Sequence, residues 1–559
     1  MYVVATAGHV DHGKSTLVHR LTGMWPDRLA EEQRRGLTID LGFAWTTIDG
    51  RDIAFVDVPG HERFVANMLA GVGPVPAVMF VVAATEGWMP QSQEHFAAVR
   101  ALGVEHTLVV ISKADLADPA PAVAHARERF PDSRVVIGTD LDQVRTELMS
   151  LVDGLPVPDP DADVRLWVDR SFTVRGAGTV VTGTLGAGTI RVGDELEHEG
   201  RQVTVRGVQS LGRAETAVGA VARVAVNLRG VDRNLIGRGH TVRTPGAWLD
   251  TSAVDVALRS ADKLHQRLML HIGSAAVPVH VRPLGDAAAR LRLARPLPLR
   301  IGDVGLLRDP GEHRIAAGVR VLDVRPAPLR RRGDARARAA ELAGGRAAPP
   351  VCATAKELHA MGFAVEGERI GDWVVDERWW AQRRGHLLEV VTQWFAEHDV
   401  AAGMPLETVR SQLGLPALEL VPALLAGTGL QVRDGLVQRP GAQLPPRVDE
   451  AVRAVQKWLA AEPFRAPDAD ELAELDLGTR ELAAAVRAGR LTRIADGIVL
   501  GPDAYDRAVE VLKTLPQPFT VAEAKRALNT TRRVAVPLLE QLDARGCTRR
   551  GDDGTRHTL

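Results

Sequence analysis

Cysteine is nearly absent from this chain. Two occur in 559 residues, Cys352 and Cys547, far apart and with no CxxC. This excludes a disulfide framework and a thiolate metal site and fits a reducing compartment. An excess of either charge is also missing. Lys and Arg number 69 against 70 Asp and Glu, a net charge of −1. There is thus no global pull toward nucleic acid, and any RNA or DNA site has to be a local patch. Long hydrophobic runs are missing too. Apolar stretches are short, and Met1 leads straight into "YVVATAG". Neither a signal peptide nor a membrane span is expected, and the expectation is a cytoplasmic protein. Nothing signals an oligomer, so a monomer is expected. The rest of the composition, 45% hydrophobic and 25% charged, is that of globular proteins. The length calls for several domains.

The first segment carries nucleotide chemistry. "YVVA" is a β-rich run, and Gly8, Gly13, Lys14 and Ser15 fill the pattern G-x-x-x-x-G-K-[ST] before the helical "STLVHRL". Strand, loop and helix are the context this motif requires. Glycines let the backbone N–H groups of residues 8–16 (Gly8, His9, Val10, Asp11, His12, Gly13, Lys14, Ser15, Thr16) turn onto phosphate oxygens. The helix amino terminus adds its dipole. Lys14 reaches the outer phosphates, and the Ser15 hydroxyl suits Mg²⁺. The next strand ends in Asp57-Val-Pro-Gly60-His61. There Asp57 suits a Mg²⁺ role, Gly60 allows close approach to a γ-phosphate, and His61 follows where a water-positioning group would sit. A third strand ends in Ser112-Lys113-Ala114-Asp115. The Asp115 carboxylate can accept both guanine N1–H and N2–H₂, which adenine does not offer, while Lys113 covers the base.

"GHVDHGKST", "RRGLTIDLGF", "DVPGHERFVANMLAG" and "SKAD" resemble the translational GTPases related to elongation factor Tu. The resemblance implies that GTP is bound with Mg²⁺, that Thr38 closes over the γ-phosphate and joins Ser15 and Asp57 at the metal, and that His61 orients the attacking water on the ribosome. It also implies that Val10 and Leu37 flank His61. Two departures stand out. Ser112 replaces a common Asn, and the last guanine loop reads Gly138-Thr139-Asp140, where no residue-level role is assigned.

Past the Pro/Asp-rich "GLPVPDPDAD", alternation with glycine turns predicts two β-barrels. They resemble the second and third domains of elongation factor Tu, which hold aminoacyl-tRNA. "VDRSFT" and "GRGHTV" are most similar to the selenocysteine-specific elongation factors. That resemblance implies an aminoacyl pocket of Asp169, Arg170 and Arg238, suited to an anionic selenol. The other reading of these arginines is ordinary salt bridges on a barrel rim.

Over two hundred residues follow the barrels. Asp372, Asp434, Asp496 and Asp553 mark hairpins 62, 62 and 57 residues apart, a period that suits helical units closed by a β-hairpin. The expected fold is therefore multidomain, with an α/β P-loop GTPase domain, two β-barrel domains and a C-terminal array of α+β winged-helix domains. The expected boundaries are 1–155, 164–248, 250–326, 327–377 (linker and first winged helix), 378–440, 445–502 and 503–559. In the last unit Thr520 and Glu523 form a capping box. Pro537 calls for a kink or a late start in the second helix. From Lys525 to Leu559 eight basic residues face four acidic ones. This local patch suits RNA phosphates; otherwise it is a solvated basic tail. "TTRRVAVPLLEQLDARGCTRR" resembles the last winged helix of the bacterial selenocysteine factor. The resemblance implies an RNA-binding set of Lys525, Arg532, Arg533, Arg549 and Arg550, and a hairpin in selenoprotein messages as the partner. The expected activity is a GTPase, stimulated by the ribosome, that delivers selenocysteinyl-tRNA at UGA codons. Two other readings stay open: a general aminoacyl- or initiator-tRNA GTPase, and a GTPase-switched winged-helix regulator that binds DNA.

Overall fold

Strand β1 (Tyr2–Ala7) is followed by β2 (Gly42–Ile48), β3 (Arg51–Asp57), β4 (Ala77–Ala83), β5 (His106–Ser112) and β6 (Arg134–Ile137) in a single sheet of order β2-β3-β1-β4-β5-β6. All neighbours run parallel except the edge strand β2. Every residue of "AVMFVVA" in β4 is buried, because helices cover both sheet faces and leave no wet side. On one face α1 (Lys14–Thr22) supplies Leu17, Val18 and Leu21, and a second helix, Leu141–Asp153, supplies Val144, Leu148 and Val152. The other face takes Met68, Leu69 and Val72 from Val65–Val72, Ala98 and Val99 from Pro90–Leu102, and Ala122 and Ala126 from Ala120–Arg129. These coordinates are a computed structural model; residues 27–37, 62–63, 74, 177, 262–263 and 440–443 lie outside the described set.

The chain divides into two units, Met1–Glu366 and Gly367–Leu559. The first unit adds two barrels to the nucleotide-type sheet. One closes through Glu195–His198, Thr241–Arg243, Arg165–Trp167, Gly178–Leu185, Ala222–Arg229 and Arg201–Ser210, the last pairing back onto the first. The other closes through Leu249–Arg259, Ala288–Leu299, Ala275–Pro283, Arg267–Ile272, Val304–Asp309 and Arg314–Asp323. The alternating buried and exposed residues of Ala275–Pro283 are the inside-outside period of a barrel strand.

Polar ties join these parts. Arg165 of the first barrel grips Asp303 of the second with both guanidinium nitrogens, at 2.7 and 2.6 Å. Gly318 of the second barrel faces the nucleotide-type domain, where a Cβ would lie 2.2 Å from the Ala101 carbonyl. The basic stretch after the barrels holds the helix Asp334–Leu342. Its Arg338 donates at 2.8 Å to Asp255, a fully buried carboxylate that also pairs with Arg290.

In the second unit, hairpins at Glu368–Val375, Gln431–Gln438, Thr492–Leu500 and Thr548–Thr558 turn at or beside the four marker aspartates. The segment 327–377 is divided, its helices Asp334–Leu342 and Ala355–Met361 falling in the first unit and its hairpin in the second. One apolar cluster runs from Val448 to Leu542 through Phe464, Leu500, Phe519 and Leu538, so the last two helical units share a core. The Thr520–Glu523 capping box is present. Helix Arg532–Ala544 continues through Pro537 with no late start. Pro537 sits early in the helix, and the backbone bond it forgoes is the one to the Arg533 carbonyl.

Candidate functional site

The phosphate loop leaves β1 at Gly8 and enters α1 after Gly13. Both glycines hold left-handed backbone, at φ 130° and 78°. A Cβ on Gly8 would lie 2.2 Å from the Val81 carbonyl oxygen. A Cβ on Gly60 would lie 2.5 Å from both Lys14 Nζ and the Val10 backbone nitrogen, so glycine is what allows the D-x-P-G turn to close on the loop. Lys14 Nζ donates to the Gly8 and His9 carbonyls at 3.1 and 2.7 Å. The Gly8 N–H donates to His95 Nδ1 at 3.0 Å. That bond requires a neutral ring, and burial holds the fully enclosed His95 well below its usual pKa.

Three oxygen side chains converge beside Lys14. Ser15 Oγ lies 2.6 Å from Asp57 Oδ2 and 3.1 Å from Thr38 Oγ1. The second Asp57 oxygen accepts from Thr6 Oγ1 at 2.7 Å, and Thr6 in turn accepts the Val58 N–H at 3.1 Å. Two hydroxyls and a carboxylate with a fixed orientation fit a hard cation such as Mg²⁺. His61 is half-buried on the same turn, its ring 6.0 Å from Phe64. Leu37, the expected flank of His61, lies outside the described residues.

At the base end, Ser112 has a use that an asparagine reading does not foresee. Its Oγ donates to the His12 carbonyl at 2.6 Å and ties the guanine motif to the phosphate loop. Lys113 pairs with Glu86 at 3.7 Å, and Asp115 is exposed. The unassigned loop now has roles. The Gly138 N–H donates to the Ile111 carbonyl at 2.7 Å, and Asp140 caps helix Leu141–Asp153 through Gln143 N–H at 3.0 Å.

The first barrel meets this domain through arginines. Asp169 and Arg170, adjacent in the chain, take different partners. Consecutive residues entering a strand point to opposite sides. Asp169 is buried against Arg223, which grips both its oxygens, and against Thr182 Oγ1 at 2.7 Å. Arg170 and Arg238 instead reach Asp40, at 2.9 and 2.5 Å. The salt bridges thus exist, but they cross to the nucleotide-type domain instead of lying on the barrel rim. A cavity of about 420 Å³ opens beside them, and Asp169, Arg170 and Arg238 all line it together with Arg233, Asn234 and His240. Asp40, Arg223 and Arg233 are absent from the sequence-derived set. Asp40 sits two residues from Thr38, which was a usable signal; Arg223 and Arg233 carried none without the barrel register.

In the terminal winged helix Arg532, Arg549 and Arg550 are exposed and form no ion pair among the described residues, and Lys525 is half-buried. Arg533 is exposed as well. It donates to the Pro467 carbonyl at 2.9 Å, because the shared core brings that backbone under the helix start. Arg556, counted in the basic patch, is buried and pairs with Asp543 at 2.8 Å.

A G-x-x-x-x-G-K-S loop on a parallel α/β sheet, followed by two closed barrels, defines a translational GTPase of the elongation factor Tu class. The family model "Elongation factor Tu GTP binding domain" matches residues 1–233. "Selenocysteine-specific elongation factor, beta-barrel domain" matches 251–328, and "Elongation factor SelB, winged helix" matches 510–557. The selenocysteine-specific elongation factor of Escherichia coli is 31% identical, with 99% of this chain and 98% of that protein covered. The chain belongs to the selenocysteine-specific elongation factor family. Elongation factor Tu 2 of Streptomyces avermitilis is 34% identical over 44% of this chain and 72% of its own. A crystal structure of a bacterial selenocysteine-specific elongation factor shares the fold with TM-score 0.74 at 24% identity, covering 100% of this chain and 99% of the other. No described helix is long and apolar enough to cross a membrane.

His12 lies under the loop with its side chain fully enclosed. Burial, then the charges of His9, Lys14 and Lys113, lower its pKa to about 4, against a backbone hydrogen bond to Val81 that raises it. Between pH 6.5 and about 4 the unfolded chain binds a proton here that the folded chain does not, so stability falls as pH falls through that window. We expect His12→Gln to remove up to about 3 kcal/mol of this acid loss, read by urea unfolding at fixed pH values. Parallel stability curves for the two proteins would exclude His12 as the source.

Proposed function

We propose that this translational GTPase delivers selenocysteinyl-tRNA to the ribosome at UGA codons while its terminal winged helix holds a hairpin of the selenoprotein message. The observation that carries the reading is the cavity lined by Arg170, Arg233 and Arg238. A selenol is more acidic than a thiol and is anionic at neutral pH. Guanidinium groups favour that anion over the neutral hydroxyl of serine. The name of the Escherichia coli relative, "Selenocysteine-specific elongation factor", points the same way.

In this reading Gly8, Lys14, Thr16 and the intervening backbone hold the phosphates of GTP, Lys113 and Asp115 hold guanine, and Ser112 braces that clamp through His12. Ser15, Thr38 and Asp57 hold Mg²⁺, which when bound offsets charge on the phosphates. Lys14, now folded onto its own loop carbonyls, turns to the outer phosphates. His61 orients a water, whose oxygen bonds to the γ-phosphorus as the β–γ bridging bond breaks, giving GDP and phosphate. Departure of that phosphate frees the segment at Thr38. Arg532, Arg549 and Arg550, with Lys525, contact message phosphates. This tether raises the local concentration of the loaded factor at the marked message. Arg533, exposed beside Arg532, belongs to the same set.

The deciding measurement is the affinity for selenocysteinyl-tRNA against seryl-tRNA on the same tRNA body with GTP present. Preference for the selenocysteine form on the order of 10²-fold is expected from one or two charge-assisted hydrogen bonds. Equal affinity would favour a general aminoacyl-tRNA GTPase. His61→Ala should retain GTP binding and lower ribosome-stimulated hydrolysis by roughly 10²–10⁴-fold; an unchanged rate would remove His61 from the reaction. Arg549→Ala and Arg550→Ala should each weaken hairpin RNA binding and reduce its salt slope by about 1. Duplex DNA competing as well as the hairpin would favour the regulator reading.

A further inference from the structure

Asp40 stands where two functions meet. Its Oδ1 accepts from Arg238 Nη2 at 2.5 Å and its Oδ2 from Arg170 Nη2 at 2.9 Å. Arg170 also donates to the Leu41 carbonyl at 3.2 Å. Arg238 is held from two further directions: its Nε donates to the Asp169 carbonyl at 2.9 Å, and its Nη1 donates to Asn67 Oδ1, whose Nδ2 in turn donates to the Ile39 carbonyl at 2.8 Å. Asn67 belongs to the helix Val65–Val72 that follows the D-x-P-G-H turn. Residues 38–41 begin with Thr38, one of the converged oxygens, and the helix Val65–Val72 follows the turn that Asp57 opens. Both of them end on the arginines that line the cavity. Burial would raise the Asp40 carboxyl, but the hydrogen bond and charge of Arg238, with Leu41 N–H and Arg170, hold it below the usual range, so it is an anion at pH 7.

We propose that Asp40 is the positioning residue through which nucleotide state reaches the amino-acid cavity. With Thr38 docked at Ser15, Asp40 aims Arg170 and Arg238. When Thr38 withdraws, Asp40 goes with it, because two residues span only about 7 Å of chain, and both guanidinium groups lose their aim. The inference names the regulation of the proposed cavity and, in its second arm only, rests on that reading. Coupling between sites is reciprocal. Arginines that stabilise the docked segment must therefore favour the nucleotide that docks it, with no tRNA present.

The first arm uses the full-length chain and fluorescent GTP and GDP analogues without tRNA. Asp40→Asn and Arg238→Gln should each lower the ratio of GTP to GDP affinity about fivefold or more. The loss in the double variant should be smaller than the product of the two single losses, since both remove the Asp40–Arg238 contact. Asp40→Glu, which keeps the charge, should recover part of the ratio. An unchanged ratio in all variants, or an equal loss of both nucleotides, overturns the proposal. The second arm compares selenocysteinyl- with seryl-tRNA in GTP, where Asp40→Asn should shrink the preference by a similar factor. A wild-type protein with no preference would defeat the selenocysteine reading, while the nucleotide ratio would still decide the role of Asp40.

Discussion

The structure turns on a carboxylate with no access to solvent. Asp57 ends β3 fully buried, and an ionised group there is tolerable only with its oxygens satisfied. One oxygen takes the Thr6 hydroxyl and the other takes Ser15. These two bonds lock the ends of β1 and β3 to the start of α1. Thr6 spends its own acceptor on Val58 N–H, which sets the exit direction of the turn carrying Gly60 and His61. A phosphate loop has no hydrophobic core of its own. Its shape is borrowed from this anchor, from His95 under Gly8 and from Ser112 under His12.

The same economy extends outward. Glycine and arginine do the joining between the parts of the first unit. Gly318 and Gly60 allow backbone contacts that any Cβ would block, and Arg165, Arg170, Arg223, Arg238 and Arg338 cross from one element to another. Arginine suits these places because its planar fork satisfies two acceptors at once while remaining charged. Arginine links are also easier to rearrange than apolar ones. An interface made of them between the nucleotide-type domain and the first barrel is suited to a change of state, whereas the sheet cores of β4 and β5, closed by apolar side chains, are suited to staying put.

In the second unit basic residues fall into two groups that composition alone cannot separate. Arg556 is buried and neutralised by Asp543, whereas Arg533 keeps its charge at the surface while donating to a backbone carbonyl. Arg532, Arg549 and Arg550 stand clear on the helix start and the hairpin. The shared core from Val448 to Leu542 holds the helix, and Arg556 ties the hairpin to it through Asp543, so the three exposed charges stand on joined elements.

Local chemistry was legible from the chain alone. The loop glycines, Lys14 and Ser15, the turn after Asp57, the barrel alternation, the capping box at Thr520 and each hairpin turn at its aspartate are set by residues within a few positions of each other, and backbone conformation acts over that range. Partner choice was not legible. That Asp169 meets Arg223 and not Arg170, that Arg170 and Arg238 both meet Asp40, that Ser112 braces the phosphate loop and that Arg533 reaches the Pro467 carbonyl depend on how elements fifty to two hundred residues apart pack together. A charged side chain near a site has many reachable counter-charges in sequence, and only the packing of the barrels and helices brings one of them within 3 Å. The sequence by itself determined which chemistry the chain carries; the tertiary structure alone decided which charges are spent holding it together and which remain for its ligands.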